Sequence, residues 1–466
     1  MRSSGNMFIT CLTVLILSPV LALGNGFYTP GVGPRAAAMG GAFVGLADDY
    51  SAVYWNPAGI TQIKGMEATV EGHDVVSLAS REGFVAYYGY GDTESRYAFG
   101  NVAATSQTSN RIAPGVFFYT DAGPLRTVFD KVGIAAYTLS EYGITWDGQN
   151  VLDYPDLIAH QPDQSFRYVI FGDYQDYESR VRSYAISPVV AKELVPGLSV
   201  GASVNFVYGH LELSDVLMEG IVDTVELTDP QAYDLYLLPI QMTDDLTGWG
   251  VGATFGALYR ATSQLSAGLS IRTPTTISYE GTMSLAGSIG GFSVLDVRRS
   301  SKIELTYPMW VGAGLAYRDF MFDGLTLTGD LHWTGWSSLD KIERSVVWSR
   351  QDPAEFTMLE TTQLDWDDTI EVGVGFDYRL NRSMSLNLGY RNSPSPAPDE
   401  TYDFLLPQTA KNVVGLGATY RQDFWRAAFS LQYRLGDERT VTGNWNMDGK
   451  HVEDTIIPSL SVTYAF

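Results

Sequence analysis

The feature of this chain that most restricts its fold is a series of segments, each about ten residues long, in which apolar and polar residues alternate. Residues 425–434 are typical, since every second residue from Trp425 to Tyr433 is apolar and the residues between are small or polar. Residues 198–208 and 370–378 repeat the pattern. A period of two places successive side chains on opposite faces of a β-strand, which predicts an all-β protein. A soluble β-sandwich would show the same alternation.

Aromatic residues at the ends of the apolar faces favour a membrane barrel over a sandwich. Trp249 and Trp425 begin such faces. Tyrosines end them at positions 208, 259, 317, 378, 390, 420 and 433. Rings at both ends of an outward face are typical of the interfacial girdles of a transmembrane β-barrel.

The spacing of the alternating segments predicts an antiparallel barrel of about fourteen strands. The segments are 66–74, 112–119, 131–139, 180–191, 198–210, 249–260, 264–273, 309–317, 325–333, 369–378, 384–391, 411–420, 425–434 and 456–466. Long connections such as 211–248 alternate with short ones such as 261–263, as long external loops alternate with periplasmic turns. Closure would leave no unpaired strand edge in lipid. Residues 84–101 are also strand-like, so the count is fixed only to within two.

The amino terminus has the order of a secretory signal. Arg2 precedes an apolar run that ends near Leu23, with small residues at Ala22 and Gly24. This order predicts a signal peptide over residues 1–24, cleaved after either Ala22 or Gly24. Cys11, the only cysteine, lies inside it, so we expect no disulfide in the mature chain.

Composition excludes several classes of function. The formal net charge is −23, from 53 acidic and 30 basic residues, which argues against a nucleic-acid partner. The five histidines have no metal-ligand spacing, so we expect no cofactor, no metal and no enzymatic activity. The enzyme alternative, an outer-membrane hydrolase, would need a Ser/His pair that the sequence does not supply.

Three stretches resemble the FadL/TodX family of outer-membrane transport proteins. Residues 25–62, with Asn56-Pro57-Ala58-Gly59, resemble the family's N-terminal plug, and residues 307–337 and 390–398 match further downstream. The resemblance implies a hatch over residues 25–62 that closes the lumen of a barrel over residues 63–466. It also implies a bacterial outer-membrane protein that passively carries hydrophobic small molecules, above all long-chain fatty acids.

Both ends of the mature chain have implied roles. In the family, movement of the hatch is thought to release ligand, which by resemblance makes Asn56, Pro57 and Ala58 the gate. Alternatively, these residues only fix the turn into the first strand. The final strand ends in Phe466 and resembles the signal read by the barrel-assembly machinery, which is one expected partner. Outer-membrane lipid and lipopolysaccharide are the others.

Three arginines are candidates for binding a ligand head group in the lumen. Arg272, Arg391 and Arg434 each end an outward-running strand on its polar face. We therefore expect them near the external end of the lumen, where they could bind a carboxylate. The alternative is that they pair with lumen acids such as Asp330 or Glu371.

Two long connections are candidates for a ligand-capture groove, as the corresponding loops are in the family. Residues 211–248 carry apolar clusters, the first of which could form a short helix, and residues 274–308 carry apolar residues beside basic ones. The predicted groove residues are Leu217, Ile221, Leu237, Leu238, Phe292, Leu295, Arg298 and Arg299. Alternatively, the two loops only cover each other. The nine acidic residues of 211–248 would repel a carboxylate, which keeps neutral aromatic or aliphatic hydrocarbons open as ligands.

An apolar ligand also needs an exit, and the family implies a lateral gap at a kinked strand. Proline cannot donate to a β-ladder, so Pro114-Gly115 is the predicted opening and Pro188 the second candidate. Either proline could instead be a strand-end or bulge residue. The alternative function is a FadL-like docking or shuttle protein of a secretion system, and the plug segment argues against a porin for polar solutes.

Overall fold

The structure is a computed structural model that describes most of the chain beyond the predicted signal. The described residues are 31–89, 96–108, 110–148, 158–160, 165–170, 172–223, 232–349, 355–403, 409–442, 444, 447 and 449–466. The predicted signal peptide and residues 25–30 of the predicted hatch lie outside these ranges.

Strands dominate the described residues. They are β1 (Glu67–Gly89), β2 (Arg96–Gln107), β3 (Asn110–Asp121), β4 (Lys131–Trp146), β5 (Ile158–His160), β6 (Ser165–Ile170), β7 (Tyr177–Val195), β8 (Leu198–Asp223), β9 (Ala232–Arg260), β10 (Leu265–Arg272), β11 (Thr275–Ile289), β12 (Phe292–Tyr307), β13 (Trp310–Tyr317), β14 (Leu325–Thr334), β15 (Lys341–Ser349), β16 (Glu355–Gln363), β17 (Thr369–Arg379), β18 (Met384–Ser393), β19 (Lys411–Gln422), β20 (Trp425–Gly436), β21 (Arg439–Val441) and β22 (Gly449–Ala465). The helices are short: α1 (Pro34–Ala38), α2 (Ala52–Trp55) and the 3₁₀-helices η1 (Pro57–Gln62), η2 (Gly123–Leu125), η3 (Trp336–Ser338) and η4 (Asp399–Thr401). No helix in these ranges is long and apolar enough to cross a membrane.

Fourteen of the strands close into an antiparallel ring. Its order is β1, β3, β4, β7, β8, β9, β10, β13, β14, β17, β18, β19, β20, β22 and back to β1. Each of the fourteen segments predicted from the sequence matches one of these strands, with bounds that overrun the strand by at most one residue at either end, so the predicted barrel is confirmed. Closure joins the two ends of the chain at one rim, where Glu67 pairs with Ala465 and Phe466 N donates to Met66 O at 2.8 Å.

The alternation of the sequence becomes the two faces of the wall. In β18 every residue from Met384 alternates between exposed and buried, with Leu386, Leu388 and Tyr390 on the exposed face. The buried face carries Ser385 and other small or polar residues. An apolar outer face and a small, polar inner face are what a barrel surrounded by lipid requires.

Several connections predicted as loops are hairpins that extend the wall above the ring. β8 and β9 stay paired as far as Asp223 and Asp234. The prediction that the first apolar cluster of residues 211–248 could form a short helix is therefore wrong. Cross-strand pairing gives those backbone groups the partners that a helix would have supplied internally. Residues 84–89 lie in β1 and residues 96–101 lie in β2, which pairs with β1 and with the top of β4, and they add no strand to the ring.

The first described segment, residues 31–63, fills the lumen. Nearly all of it is buried, and its apolar side chains form one core with inward-facing residues of the wall. Two inward glycines allow the closest approach: a Cβ at Gly389 would lie 2.0 Å from the carbonyl carbon of Met39, and one at Gly314 would lie 2.7 Å from Gly45 N. Small wall residues therefore make room for the segment, which we call the hatch.

Candidate ligand path through the barrel

Asn56 joins the hatch to the wall. Its Nδ2 donates to Val44 O within the hatch and to Ala257 O of β9, both at 3.0 Å, and its Oδ1 accepts from Ala58 N at 3.2 Å. The last contact caps η1, and Pro57 occupies the first position of that helix. Asn56 and its neighbours therefore fix the local turn and also contact the wall.

A buried ion-pair cluster holds the hatch at a second point. Arg35 Nε donates to Asp377 Oδ2 of β17 at 2.7 Å, and Arg35 Nη1 donates to Asp48 Oδ1 at 2.5 Å. Burial opposes ionisation of the Asp48 carboxyl, but the charge and hydrogen bond of Arg35 outweigh it and hold its pKa below the ordinary value. The cluster is therefore an ionised link between the hatch and the wall.

Further polar contacts surround the hatch. Asp330 Oδ2 accepts from Val44 N at 2.7 Å, and Glu71 Oε2 accepts from Gly33 N at 3.0 Å and from the Tyr50 hydroxyl at 2.7 Å. No sequence motif identifies Arg35, Asp377 or Glu71 as hatch contacts. The alternation of inward and outward residues along a strand could have indicated two of them, because Asp377 and Glu71 lie on the inward face of their strands.

The three arginines predicted to bind a head group already have partners. Arg272 Nη2 donates to Tyr54 O of the hatch at 3.0 Å, and its guanidinium lies 4.4 Å from the Tyr54 ring centroid. Arg391 Nη1 lies 3.4 Å from Glu371 Oε2, as the alternative interpretation expected. Arg434 Nε donates to Gln432 Oε1 at 3.2 Å. Binding of a carboxylate by these residues stays a prediction, and it would require them to exchange partners.

The predicted capture groove falls on adjoining strands of the external wall. β9 pairs with β11 from Trp249↔Ser278 to Gln241↔Ala286, so the two connections lie edge to edge. Leu238, Leu295 and Arg299 are half-buried, whereas Phe292, at 79% exposure, and Arg298 are exposed. For the other three predicted groove residues only the backbone is described: Leu217 and Ile221 lie in β8, and Leu237 lies in β9.

The wall has an unpaired stretch beside Pro114 and Gly115. The β3–β4 ladder ends at Gly115↔Tyr137, although β4 continues to pair with β7 as far as Trp146. On its other edge, β4 is next paired at Thr145, with β2. Within the described residues, no β-ladder joins residues 138–144 to the wall on that side. The Thr138 hydroxyl donates across the gap to Pro114 O at 3.1 Å.

The predicted lateral opening therefore coincides with this interruption, which we call the β3–β4 gap. A register shift at residue 139 of β4, between Thr138 and Ser140, lies at the same level. Pro188, the second candidate, pairs with Ile134 inside a continuous part of the β4–β7 ladder. On the other edge of β7, the pairing with β8 skips Ser187 and Pro188 between Ile186↔Phe206 and Val189↔Ser203, so the interruption beside Pro188 is shorter than that beside Pro114.

An aromatic cluster lies between the hatch and the strands that flank the β3–β4 gap. The Phe117 and Tyr137 rings are stacked with centroids 6.1 Å apart. Tyr50 of the hatch lies 4.8 Å from Phe117, and Tyr54 lies 5.9 Å from Tyr137. Apolar surface thus continues from the hatch to the inner side of the wall. Among the described residues, no group of three or more His, Cys, Asp or Glu side chains could hold a metal ion.

Comparisons with known proteins agree with this architecture. Residues 162–466 match the model of a family described as outer membrane protein transport protein (OMPP1/FadL/TodX). No curated protein matches the chain.

Three solved structures have the same fold. A Pseudomonas aeruginosa FadL homologue gives a TM-score of 0.70 at 16% identity, covering 95% of this chain and 100% of its own. The P. putida toluene transporter TodX gives 0.67 at 15% identity, covering 94% and 99%. The Ralstonia pickettii toluene transporter TbuX gives 0.65 at 17% identity, covering 94% and 98%.

Proposed function

This chain belongs to the family of outer membrane protein transport proteins (OMPP1/FadL/TodX), and on that premise we propose that it passively carries long-chain fatty acids across the outer membrane. Transport of hydrophobic compounds across the outer membrane follows from the family, which consists of channels rather than enzymes. The identity of the ligand, the capture groove, the moving hatch and the lateral exit are the proposed parts.

The observation that carries the proposal is the β3–β4 gap beside a lumen closed by the hatch. A ligand that enters from the external hairpins meets a filled lumen below, whereas the aromatic cluster of Tyr50, Tyr54, Phe117 and Tyr137 adjoins the strands at the gap. An apolar molecule leaves water for the bilayer favourably, so lateral exit needs no energy source besides its own gradient. Small movements of the hatch at Asn56-Pro57-Ala58 would widen the path.

Neutral hydrocarbons are the second candidate ligands. TodX and TbuX are toluene transporters. Residues 211–248 of this chain contain nine acidic residues and no basic ones, which disfavours a carboxylate at the entrance. A fatty acid and a neutral aromatic compound should therefore be compared directly in every transport experiment.

Closing the β3–β4 gap tests the lateral exit. Continuing the β3–β4 register beyond Gly115↔Tyr137 places Ala113 opposite residue 139. In Ala113→Cys/Leu139→Cys, a short bismaleimide should bridge the gap and abolish uptake of oleate into proteoliposomes, whereas N-ethylmaleimide should leave uptake largely intact. The matched control is Ser385→Cys/Thr419→Cys, which bridges a position where β18 and β19 are already paired.

Uptake that persists after efficient bridging at the gap would exclude this exit. If the wild-type protein binds and passes neither oleate nor toluene, the transport proposal itself fails, and a docking role for the external hairpins becomes the next hypothesis.

A further inference from the structure

Arg111 is a buried cation near the external end of β3, beside the β3–β4 gap. It lies on the inward face of the strand and is 2% exposed. Its backbone N donates to Asp74 Oδ1 of β1 at 3.0 Å, and the strand register pairs it with Val75. The backbone of Arg111 is therefore fixed while its side chain points toward the lumen.

The Arg111 guanidinium has no hydrogen-bond acceptor among the described residues. All three of its nitrogens are buried, and none of them bonds to any described oxygen. Other buried lumen arginines differ: Arg35 donates to Asp377 at 2.7 Å, and Arg344 donates to Asp244 at 2.6 Å. Burying a charge without a partner is strongly unfavourable. An anionic group that enters the lumen would supply the missing acceptor.

The acidic neighbours of Arg111 are bonded to other arginines, although the buried Glu141 Oε2 has no hydrogen-bond partner among the described residues. The titratable groups that interact with it electrostatically are Tyr142, Arg180, Glu141 and Glu178. Arg182 Nε donates to Glu141 Oε1 at 2.9 Å, and Arg180 lies 2.7 Å from Glu178 and 2.9 Å from Glu212. These carboxylates lower the local positive potential but leave the hydrogen-bond donors of Arg111 unused.

Gly143 of β4 determines where the guanidinium lies. A Cβ at Gly143 would be 2.5 Å from Arg111 Nε and 2.6 Å from its Cζ, so only glycine permits this contact. Gly143 belongs to the stretch of β4 that forms the β3–β4 gap. The contact therefore places the cation against the inner edge of the gap.

We propose that Arg111 binds the carboxylate of an amphiphile at the inner mouth of the β3–β4 gap, which makes the protein selective for acids over neutral hydrocarbons. This inference rests on the proposed transport function and assigns its ligand class. The same face of β3 continues through Ala113 to Phe117, six residues and about 20 Å away, a length comparable to a long hydrocarbon chain. The bidentate geometry of a guanidinium matches a carboxylate. A lipid phosphate of the surrounding bilayer would approach from the outer face, where Arg111 is not exposed.

The test compares one charged ligand with its neutral analogue. Binding of oleate and of oleyl alcohol to the purified full-length protein is measured for wild type, Arg111→Gln and the control Arg260→Gln. Arg260 lies at the opposite end of the barrel and already pairs with Glu193 at 2.7 Å. We expect Arg111→Gln to weaken oleate binding about ten-fold or more, as the loss of a charge-assisted hydrogen bond predicts. Binding of oleyl alcohol should change by less than about two-fold.

A second variant keeps the charge and moves it. Gly143→Ala introduces a methyl group where the guanidinium lies, and the flexible arginine can shift away, so the barrel should still fold. This variant should also weaken the binding of oleate more than the binding of oleyl alcohol. Heat-modifiable migration on SDS gels verifies folding of every variant.

The possible outcomes separate the two proposals. If Arg111→Gln weakens the binding of both ligands equally, or does not weaken oleate binding, the proposed role of Arg111 is overturned and the transport proposal stands. Failure of wild type to bind either ligand would instead overturn the transport proposal.

Discussion

Single polar residues decide how firmly the hatch closes the lumen. Arg35 and Asp377 form a buried pair between the hatch and β17, and Asp48 extends it. Removing one partner from a buried pair leaves the other charge uncompensated and costs about 3–5 kcal/mol. The hatch is therefore sensitive to a single neutralising substitution.

Asp377→Asn should loosen the hatch without unfolding the barrel. We expect more frequent and larger conductance steps in planar bilayers, because the lumen opens when the hatch detaches. The control is Asp323→Asn, which changes the charge equally at an exposed position between β13 and β14. Identical conductance of the two variants would show that the Arg35–Asp377 pair does not hold the hatch.

His451 makes the external end of β22 sensitive to acid. It is 3% exposed, its Nε2 lies 2.7 Å from Met447 O, and burial lowers its pKa to about 4. In the unfolded chain the ordinary value is about 6.5. The folded state therefore binds fewer protons between these values, and its stability falls as the pH drops from about 6.5 toward 4.

NMR of protein labelled at its histidines checks this directly. We expect the His451 resonance to titrate with a midpoint near pH 4, and His451→Gln to remove part of the loss of stability in that range. A midpoint above pH 6 would contradict the burial of a neutral ring.

At the scale of elements, the bilayer explains which strands the sequence could predict. Lipid demands an apolar outer face over about ten residues, so segments such as 384–391 were identifiable. Outside the membrane a strand does not need an apolar outer face. The external half of β8 therefore lacks the regular alternation of apolar and polar residues, although its pairing with β9 continues. The five-residue helix α1 is too short to show a helical period.

The candidate site was predictable only in part, for a related reason. Parity placed Arg272 and Arg391 on the inward face, as found. Their partners come from distant parts of the chain: Tyr54 lies 218 positions from Arg272, and Asn56 contacts Ala257 from 201 positions away. Such contacts depend on how the hatch sits in the closed ring, which no local pattern encodes.

Asp173 fixes the tip of the β11–β12 hairpin. Its carboxylate accepts from Ser288 Oγ at 2.6 Å, Gly291 N at 2.9 Å and Gly290 N at 3.0 Å, and these hydrogen bonds, that of Ser288 foremost, lower its pKa. Asp173→Ala should release the tip and speed limited proteolysis there several-fold on intact cells. The matched control is Asp296→Ala on the same hairpin, where the carboxylate lies 3.8 Å from Arg298. Equal cleavage rates in the two variants would show that the Asp173 hydrogen bonds do not hold the hairpin tip.

The whole molecule combines a closed lumen with an interrupted wall. The first feature blocks passage along the barrel axis, whereas the second could allow passage sideways through the wall. The hatch packs against inward-facing residues on many strands, which favours a rigid plug. The proposed lateral exit at the β3–β4 gap would avoid passing through the hatch. Whether ligand passage requires the hatch to move is therefore a question about the assembled barrel rather than about any one strand.

Tethering the hatch to the wall answers it. A Cβ at Gly373 of β17 would lie 3.6 Å from the Ala42 Cβ, within the range of a disulfide. If, as proposed, release of ligand requires the hatch to shift, oxidation of Ala42→Cys/Gly373→Cys should reduce oleate uptake at least about ten-fold and dithiothreitol should restore it. Ser385→Cys/Thr419→Cys, which joins two wall strands, controls for oxidation itself. Full uptake by the tethered protein would mean that the β3–β4 gap alone suffices and that the hatch serves only to close the lumen.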